Sequence, residues 1–153
     1  MREVSFNVVG KVLESWDASR ANTKNFETIL GTHIAQKLLE LAPEAGEFFG
    51  DQDPSETLPY HRIKHFEMIV QLLDTILQLM GPDFETIGEI LEQLGMRHKR
   101  MGVDPDFFPY MGHSIVFGLR ETMGKAFTME HEEAWLELYG TISDEIVAGI
   151  KSS

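Results

Sequence analysis

Histidine is the residue type in this chain best suited to bind a metal or take up a proton, and one histidine stands out by its position. Within residues 87–103 the apolar side chains recur at the i, i+3, i+4, i+7 spacing of a helix with one buried face. His98 falls on that same face, four residues after Leu94. Three cations surround it in an otherwise acidic chain: Arg97, Lys99 and Arg100.

An inward-facing imidazole with cations at the rim would suit an anionic, largely apolar, metal-centred ligand. The plainer alternative is that His98 is a core residue bonded to a backbone carbonyl. The spacing within this one stretch does not decide between the two interpretations.

The composition of the chain excludes several kinds of partner and several kinds of metal or catalytic site. The 153 residues include 25 Asp and Glu against 13 Lys and Arg, a formal charge of −12, which argues against nucleic acid as a partner. The absence of cysteine excludes disulfides, thiolate nucleophiles, iron–sulfur clusters and cysteine-based zinc sites. Neither a membrane-spanning apolar run nor a secretory signal is visible, so a soluble, cytoplasmic protein without a membrane partner is predicted. The metal chemistry that remains is that of histidine and carboxylate.

Helical periodicity runs through the whole chain and predicts an all-α fold of about seven helices, with no segment of period two. The final helix is expected to be capped by Thr128. The other predicted helices cover residues 4–19, 25–41, a short turn at 43–49, a long helix from Pro59 to the Gly81-Pro82 break, 82–100, and a segment spanning Phe108 to Met123.

A second histidine lies along an apolar stripe. His65 precedes Ile69 by four residues in the long helix, so two inward histidines are predicted on two separate helices. His61 lies four residues before His65 and could face the same way, a spacing that also fits a metal-binding pair.

Several features together resemble one known family. They are Trp16, Pro43 followed six residues later by Phe49, His65, the Leu-Gly-x-x-His run within residues 94–103, Phe108, and the ending from Ala126-Phe127-Thr128 through Trp135 to Leu138-Tyr139-Gly140. The chain resembles the globins over nearly its whole length. In particular it is similar to single-domain globins of the neuroglobin and cytoglobin kind and to the globin part of bacterial flavohaemoglobins.

The resemblance implies a single globin domain, residues 1–153, enclosing one haem. It assigns His98 as the proximal iron ligand and Phe49 as the aromatic that stacks on the porphyrin, with Arg97 near a propionate. Apolar positions that it places around the haem are Leu94, Val103, Phe108 and Met111. Because no Cys-x-x-Cys-His is present, the implied cofactor is non-covalent haem b.

On the distal side the resemblance favours His65 over His61, because His65 puts Pro59 in the first turn of its helix and Ile69 over the iron. His65 is then also a candidate sixth ligand. Ala35, eight residues before Pro43, stands where related globins carry Leu or Tyr and is expected to leave volume that Ile34 or Phe66 partly fills. The remaining histidines are predicted to be solvated: His33, His113 and His131.

Three functions stay open from the sequence. The first is reversible binding of a diatomic gas, with O2 ahead of CO and NO. The second is an enzyme that dioxygenates NO or reduces nitrite. The third is a gas or redox sensor with both His98 and His65 on the iron. The predicted helices extend to Ile150 and no dinucleotide-binding loop appears, so an enzyme would draw its electrons from a separate reductase.

Overall fold

Each predicted apolar stripe forms a helix in the computed structural model, which describes residues 1–49, 60–80 and 83–152. The six α-helices are α1 (Phe6–Asn22), α2 (Phe26–Leu41), α3 (Tyr60–Leu79), α4 (Phe84–Arg100), α5 (Phe108–Met123) and α6 (Met129–Ser152). The described residues also include three 3-10 helices, at Pro43–Phe49, Pro105–Phe107 and Gly124–Ala126. The described residues contain no strand, and the all-α prediction with about seven helices is confirmed.

The helix ends follow local capping chemistry. The Ser5 hydroxyl accepts a hydrogen bond from the Val8 N–H at 3.3 Å, so α1 begins two residues later than the periodicity predicts. At the start of α4, the Asp83 carboxylate accepts from the backbone N–H of Thr86 at 3.0 Å and from its hydroxyl at 2.6 Å. Asp83 thereby fixes the first turn of the helix that carries His98.

Two tryptophans join α1 to the rest of the core. Their rings lie 5.7 Å apart and both are buried. Trp16 donates its indole N–H to Asp74 at 2.9 Å, and Trp135 donates to the Ser15 hydroxyl at 2.7 Å. Because each buried N–H has a partner, the pair adds packing area without an unsatisfied donor.

Glycines allow the closest helix crossings. A Cβ at Gly95 of α4 would run into the carbonyl oxygen of Ile146, and a Cβ at Gly149 of α6 would lie 2.7 Å from the Glu92 carbonyl oxygen. The backbones of α4 and α6 are therefore in direct contact. This contact fixes the position of α4, and with it the position of His98, relative to α6. At Gly31 of α2, a Cβ would lie 3.2 Å from the carbonyl carbon of Phe66, which fixes α3 in the same way.

No helix in the described residues is both long enough and apolar enough to cross a membrane.

Candidate functional site

A cavity of about 390 Å³ separates α3 from α4 and reaches down to α5 and α6. Its wall is almost entirely apolar, with two imidazoles, one guanidinium and one phenol among the lining groups. The lining residues include His65, Ile69, Leu94, Arg97, His98, Val103, Phe108 and Met111, all of them predicted from the sequence.

A hydrogen bond defines the tautomer of the His98 ring. Its Nδ1 lies 2.7 Å from the carbonyl oxygen of Leu94, one turn earlier in α4. A carbonyl oxygen can only accept, so Nδ1 carries a proton, and in the neutral ring Nε2 is the nitrogen with the lone pair. The two interpretations of the sequence are therefore compatible: His98 bonds a backbone carbonyl through one nitrogen and offers the other to a ligand.

Neighbouring groups restrict the His98 ring further. The ring of Phe108 lies edge-on to it, with centroids 5.5 Å apart and planes at 66°. The carbonyl of His98 accepts from the N–H of Val103 at 3.1 Å, which turns the chain away at the end of α4. His98 therefore lies in the last turn of α4, and its backbone is hydrogen-bonded to the segment that follows the helix.

His65 contributes the second imidazole. It is half-buried in the cavity wall, beside the ring of Phe66. Burial lowers the pKa of His65, and the positive charge that His98 carries when it is protonated lowers it further by a smaller amount. At neutral pH His65 is therefore a neutral imidazole, with one N–H to donate and one lone pair.

Two predicted site residues have side chains outside the described part of the structure, Phe49 and His61. The stacking role of the first and the rival distal role of the second therefore stay predictions. Phe48, the neighbour of Phe49, lines the cavity and meets the ring of Phe107 at 6.1 Å.

The sequence did not single out several lining residues. On the distal side, α2 contributes Leu38 to the wall, whereas Ile34, Ala35 and Phe66 are fully buried and are not among the lining residues. The extra volume expected beside Ala35 is therefore not part of the cavity. The other lining residues that were missed are Ala45, Phe48, Met68, Leu72, Leu73, Ile76, Leu91, Met101, Phe107, Ile115, Tyr139, Ile142 and Ile146.

The prediction that His131 is solvated is wrong. Its side chain is buried at the start of α6, where Nδ1 accepts the Thr128 N–H at 3.0 Å and Nε2 donates to Glu14 at 3.1 Å. His131 therefore completes the N-terminal cap of α6 and ties it to α1. His113 is exposed as predicted, while His33 is half-buried against the ring of Phe117.

The donor set of the cavity fits a metallated macrocycle. Within residues 1–49, 60–80 and 83–152, no three or more His, Asp or Glu side chains are arranged to hold a bare metal ion. Two imidazoles alone leave a transition metal short of ligands. A porphyrin supplies four nitrogen ligands of its own, matches the apolar wall, and needs only an axial imidazole from the protein.

Comparisons with known proteins agree with this geometry. The globin family model matches residues 32–146. Neuroglobin of Danio rerio is 24% identical over 97% of this chain and 94% of its own length. An anaerobic nitrite reductase of Brassica napus is 26% identical over 92% of this chain and 88% of its own.

A solved structure shares the fold. The crystal structure of a hexacoordinated haem protein from an anhydrobiotic tardigrade superposes with a TM-score of 0.83 at 18% identity, covering 97% of this chain and 96% of that one. The chain belongs to the globin family. Membership of that family implies that it binds haem.

Proposed function

We propose that the chain, residues 1–153, is a single-domain globin that holds one haem b between His98 and His65 and binds a diatomic gas reversibly, with O2 as the first ligand and CO and NO as competitors. Haem supplies an iron atom that takes up such a gas at an open coordination position. The observation that carries the proposal is the pair of imidazoles facing one apolar cavity from α3 and α4, with Nδ1 of His98 bonded to the Leu94 carbonyl so that Nε2 is the nitrogen left for a ligand.

His98 is the proposed proximal ligand. Its Nδ1–H is held by Leu94, which sets the tautomer, and a hydrogen bond of this kind increases the basicity of the opposite nitrogen. The ligand and the carbonyl that orients it belong to the same helical turn, so they move together. Among the described α4 residues that line the cavity, which are Leu91, Leu94, Arg97 and His98, only the imidazole can bind iron.

His65 is the proposed distal residue. As a neutral imidazole it can donate one hydrogen bond to a gas on the opposite side of the cavity from His98. Ile69, one turn further along α3, lines the same wall and limits the room for larger ligands. With Ala35 buried and unable to donate through its side chain, His65 is the proposed source of the stabilising hydrogen bond.

The other residues of the site have three proposed tasks. The apolar side chains exclude water, which strengthens the distal hydrogen bond and slows oxidation of the iron. Arg97 lines the cavity while its side chain is exposed, so it is placed to meet an anionic propionate at the mouth. Phe49 is proposed to stack on the porphyrin.

A second function is favoured by one comparison. The relative from Brassica napus is named for nitrite reduction, and it matches this chain over most of both lengths. An enzyme of that kind, or an NO dioxygenase, would need electrons from an external reductase. Purified protein should then show no sustained turnover of nitrite or NO with NADH alone, and turnover should begin when a reductase is added.

A third function makes the protein a sensor. The tardigrade protein is described as hexacoordinated, and His65 and His98 line the same cavity in this chain. If His65 binds the iron at rest, the rate of CO binding reaches a plateau as CO is increased, because release of His65 becomes limiting. A rate that rises in proportion to CO identifies an open site instead.

The main proposal is tested by adding haem to the purified chain and recording absorption spectra. One equivalent of haem should produce a sharp Soret band, and the ferrous form should change spectrum under O2 and return when O2 is removed. A chain that takes up no haem, or that is oxidised by O2 without a reversible spectral change, contradicts the proposal.

A further inference from the structure

Tyr139 presents a phenol in the otherwise apolar wall of the cavity. Its side chain is buried, and its hydroxyl donates to the carbonyl oxygen of Phe108 at 2.7 Å. A phenylalanine would fill the same space but would not donate to the Phe108 carbonyl oxygen. The hydroxyl therefore has a role beyond packing.

The ring of Tyr139 is held as firmly as its hydroxyl. A Cβ added at Gly112 of α5 would lie 2.6 Å from Cδ1 of that ring, so the ring lies directly on the α5 backbone. The hydroxyl group also has Ser143, one turn further along α6, as a hydrogen-bonding neighbour. Burial raises the pKa of Tyr139 above its usual value, so the hydroxyl is a protonated donor at neutral pH.

The acceptor of this bond connects Tyr139 to the proximal histidine. Phe108 is the first residue of α5, and its ring lies edge-on to the ring of His98 at 5.5 Å. The Tyr139 hydroxyl holds the backbone carbonyl of Phe108 in place. It thereby also restricts the position of the Phe108 ring that contacts His98. The imidazole is then held by two groups, the Leu94 carbonyl at Nδ1 and the Phe108 edge beside the ring.

We infer that Tyr139 is a positioning residue, which sets the orientation of the His98 imidazole through Phe108 and so tunes the bond from His98 to the iron. The inference rests on the proposed function, because it needs haem on His98. It adds α5, which carries Phe108, and α6, which carries Tyr139, to the two helices that carry the histidines. A change at Tyr139 can then alter the bond from His98 to the iron through Phe108.

The test replaces Tyr139 by Phe, which removes the hydroxyl and keeps the ring. The readout is the iron–histidine stretching band in resonance Raman spectra taken immediately after CO is photolysed, when His98 is the iron's only protein ligand. We expect the band to shift or broaden, and the CO and O2 dissociation rates to change by roughly threefold. Tyr110→Phe is the matched control, because Tyr110 is exposed and is not a lining residue. The iron–histidine band of this variant should coincide with that of the wild type.

A double-mutant cycle separates positioning from general destabilisation. Phe108→Leu should move the same band, and adding Tyr139→Phe to it should produce little further change, because the hydroxyl acts through that ring. Additive shifts would overturn the inference, as would a Phe108→Leu band identical to that of the wild type. If Tyr139→Phe alone folds poorly, Phe108→Leu still tests the step on which the inference depends, the contact of the Phe108 ring with His98.

Failure of the proposed function and failure of the inference give different results. A wild-type chain that takes up no haem contradicts the proposed function, and the inference with it. A haem-loaded wild type whose band is unaffected by Tyr139→Phe contradicts the inference alone.

Discussion

His98 and Leu94 form a hydrogen-bonded pair within one turn of α4, with Nδ1 of the histidine 2.7 Å from the leucine carbonyl oxygen. The bond fixes the tautomer of His98 and directs Nε2 away from the helix backbone. Because ligand and orienting group share one helix, the position of α4 within the fold sets the position of the proposed iron ligand. Changes in the contacts that hold α4 are therefore expected to affect haem binding.

Gly95→Ala should loosen α4 from α6. The added Cβ meets the Ile146 carbonyl oxygen, which belongs to backbone and cannot rotate away, so the helices must separate. We expect the free energy of unfolding to fall by about 1–3 kcal/mol, as for other overpacked contacts, and haem to leave faster. Urea unfolding of the apo form and haem transfer to an excess of apomyoglobin measure the two effects.

Gly140→Ala is the matched control, since a Cβ at that position of α6 meets nothing within 4 Å. An alanine there should leave stability unchanged or raise it by about 0.5–1 kcal/mol, the usual gain over glycine in a helix. Equal stability of the two alanine variants would show that the α4–α6 contact is not tight.

Asp83→Asn should remove a pH dependence from the stability of α4. Hydrogen bonds from the Thr86 hydroxyl, and then from its backbone N–H, lower the pKa of Asp83 below its usual 3.8. A lowered folded-state pKa means that the carboxylate stabilises the fold above pH 3.8 and that this contribution is lost as the pH falls through the folded-state value. Asparagine caps a helix about as well but does not titrate.

Acid titrations of the variant and the wild type, followed by circular dichroism, check this expectation. The wild type should lose more stability than Asp83→Asn below pH 3.8, and the two should be similar at neutral pH. Glu85→Gln, at an exposed position in the same helical turn, serves as the control for removing a carboxylate. If Glu85→Gln changes the acid transition as much as Asp83→Asn, the cap is not the cause.

His65→Leu should weaken retention of O2. The variant removes one hydrogen bond to a partly charged ligand, worth about 1.5–3 kcal/mol, or roughly a factor of ten to a hundred in the O2 dissociation rate. Autoxidation should also become faster. Stopped-flow displacement of O2 by CO measures the first effect.

His113→Leu provides the comparison, because His113 is exposed on α5 and is not a lining residue. Its O2 dissociation rate should match that of the wild type. A His65→Leu variant with the same rate as His113→Leu would remove His65 from the distal role and return attention to His61.

The sequence predicts well what depends on short-range spacing. The helical period alone directs His98 and His65 inward, because a side chain's face is set by its position relative to neighbours three and four residues away. The positions of Leu94 and Ile69 in the wall follow from the same rule.

Long-range packing could not be predicted in this way. His131 looks like a polar residue in the first turn of a helix, yet it is buried, because α1 brings Glu14 from 117 positions away onto its Nε2. Tyr139 carries no local sign that its hydroxyl will reach Phe108, since that contact depends on how α6 crosses α5. The presence of Leu38 rather than Ala35 in the cavity wall has the same origin, in how α2 is rotated against α3.

The most direct test of the central claim is a haem titration of His98→Ala beside His65→Ala, followed by absorption spectra with and without added imidazole. We predict that His65→Ala binds one equivalent of haem tightly. His98→Ala should bind haem weakly and recover a low-spin spectrum only when free imidazole replaces the missing ligand. Tight haem binding by His98→Ala, with a spectrum unchanged from the wild type, would contradict the assignment of His98 as the iron ligand and the account built on it.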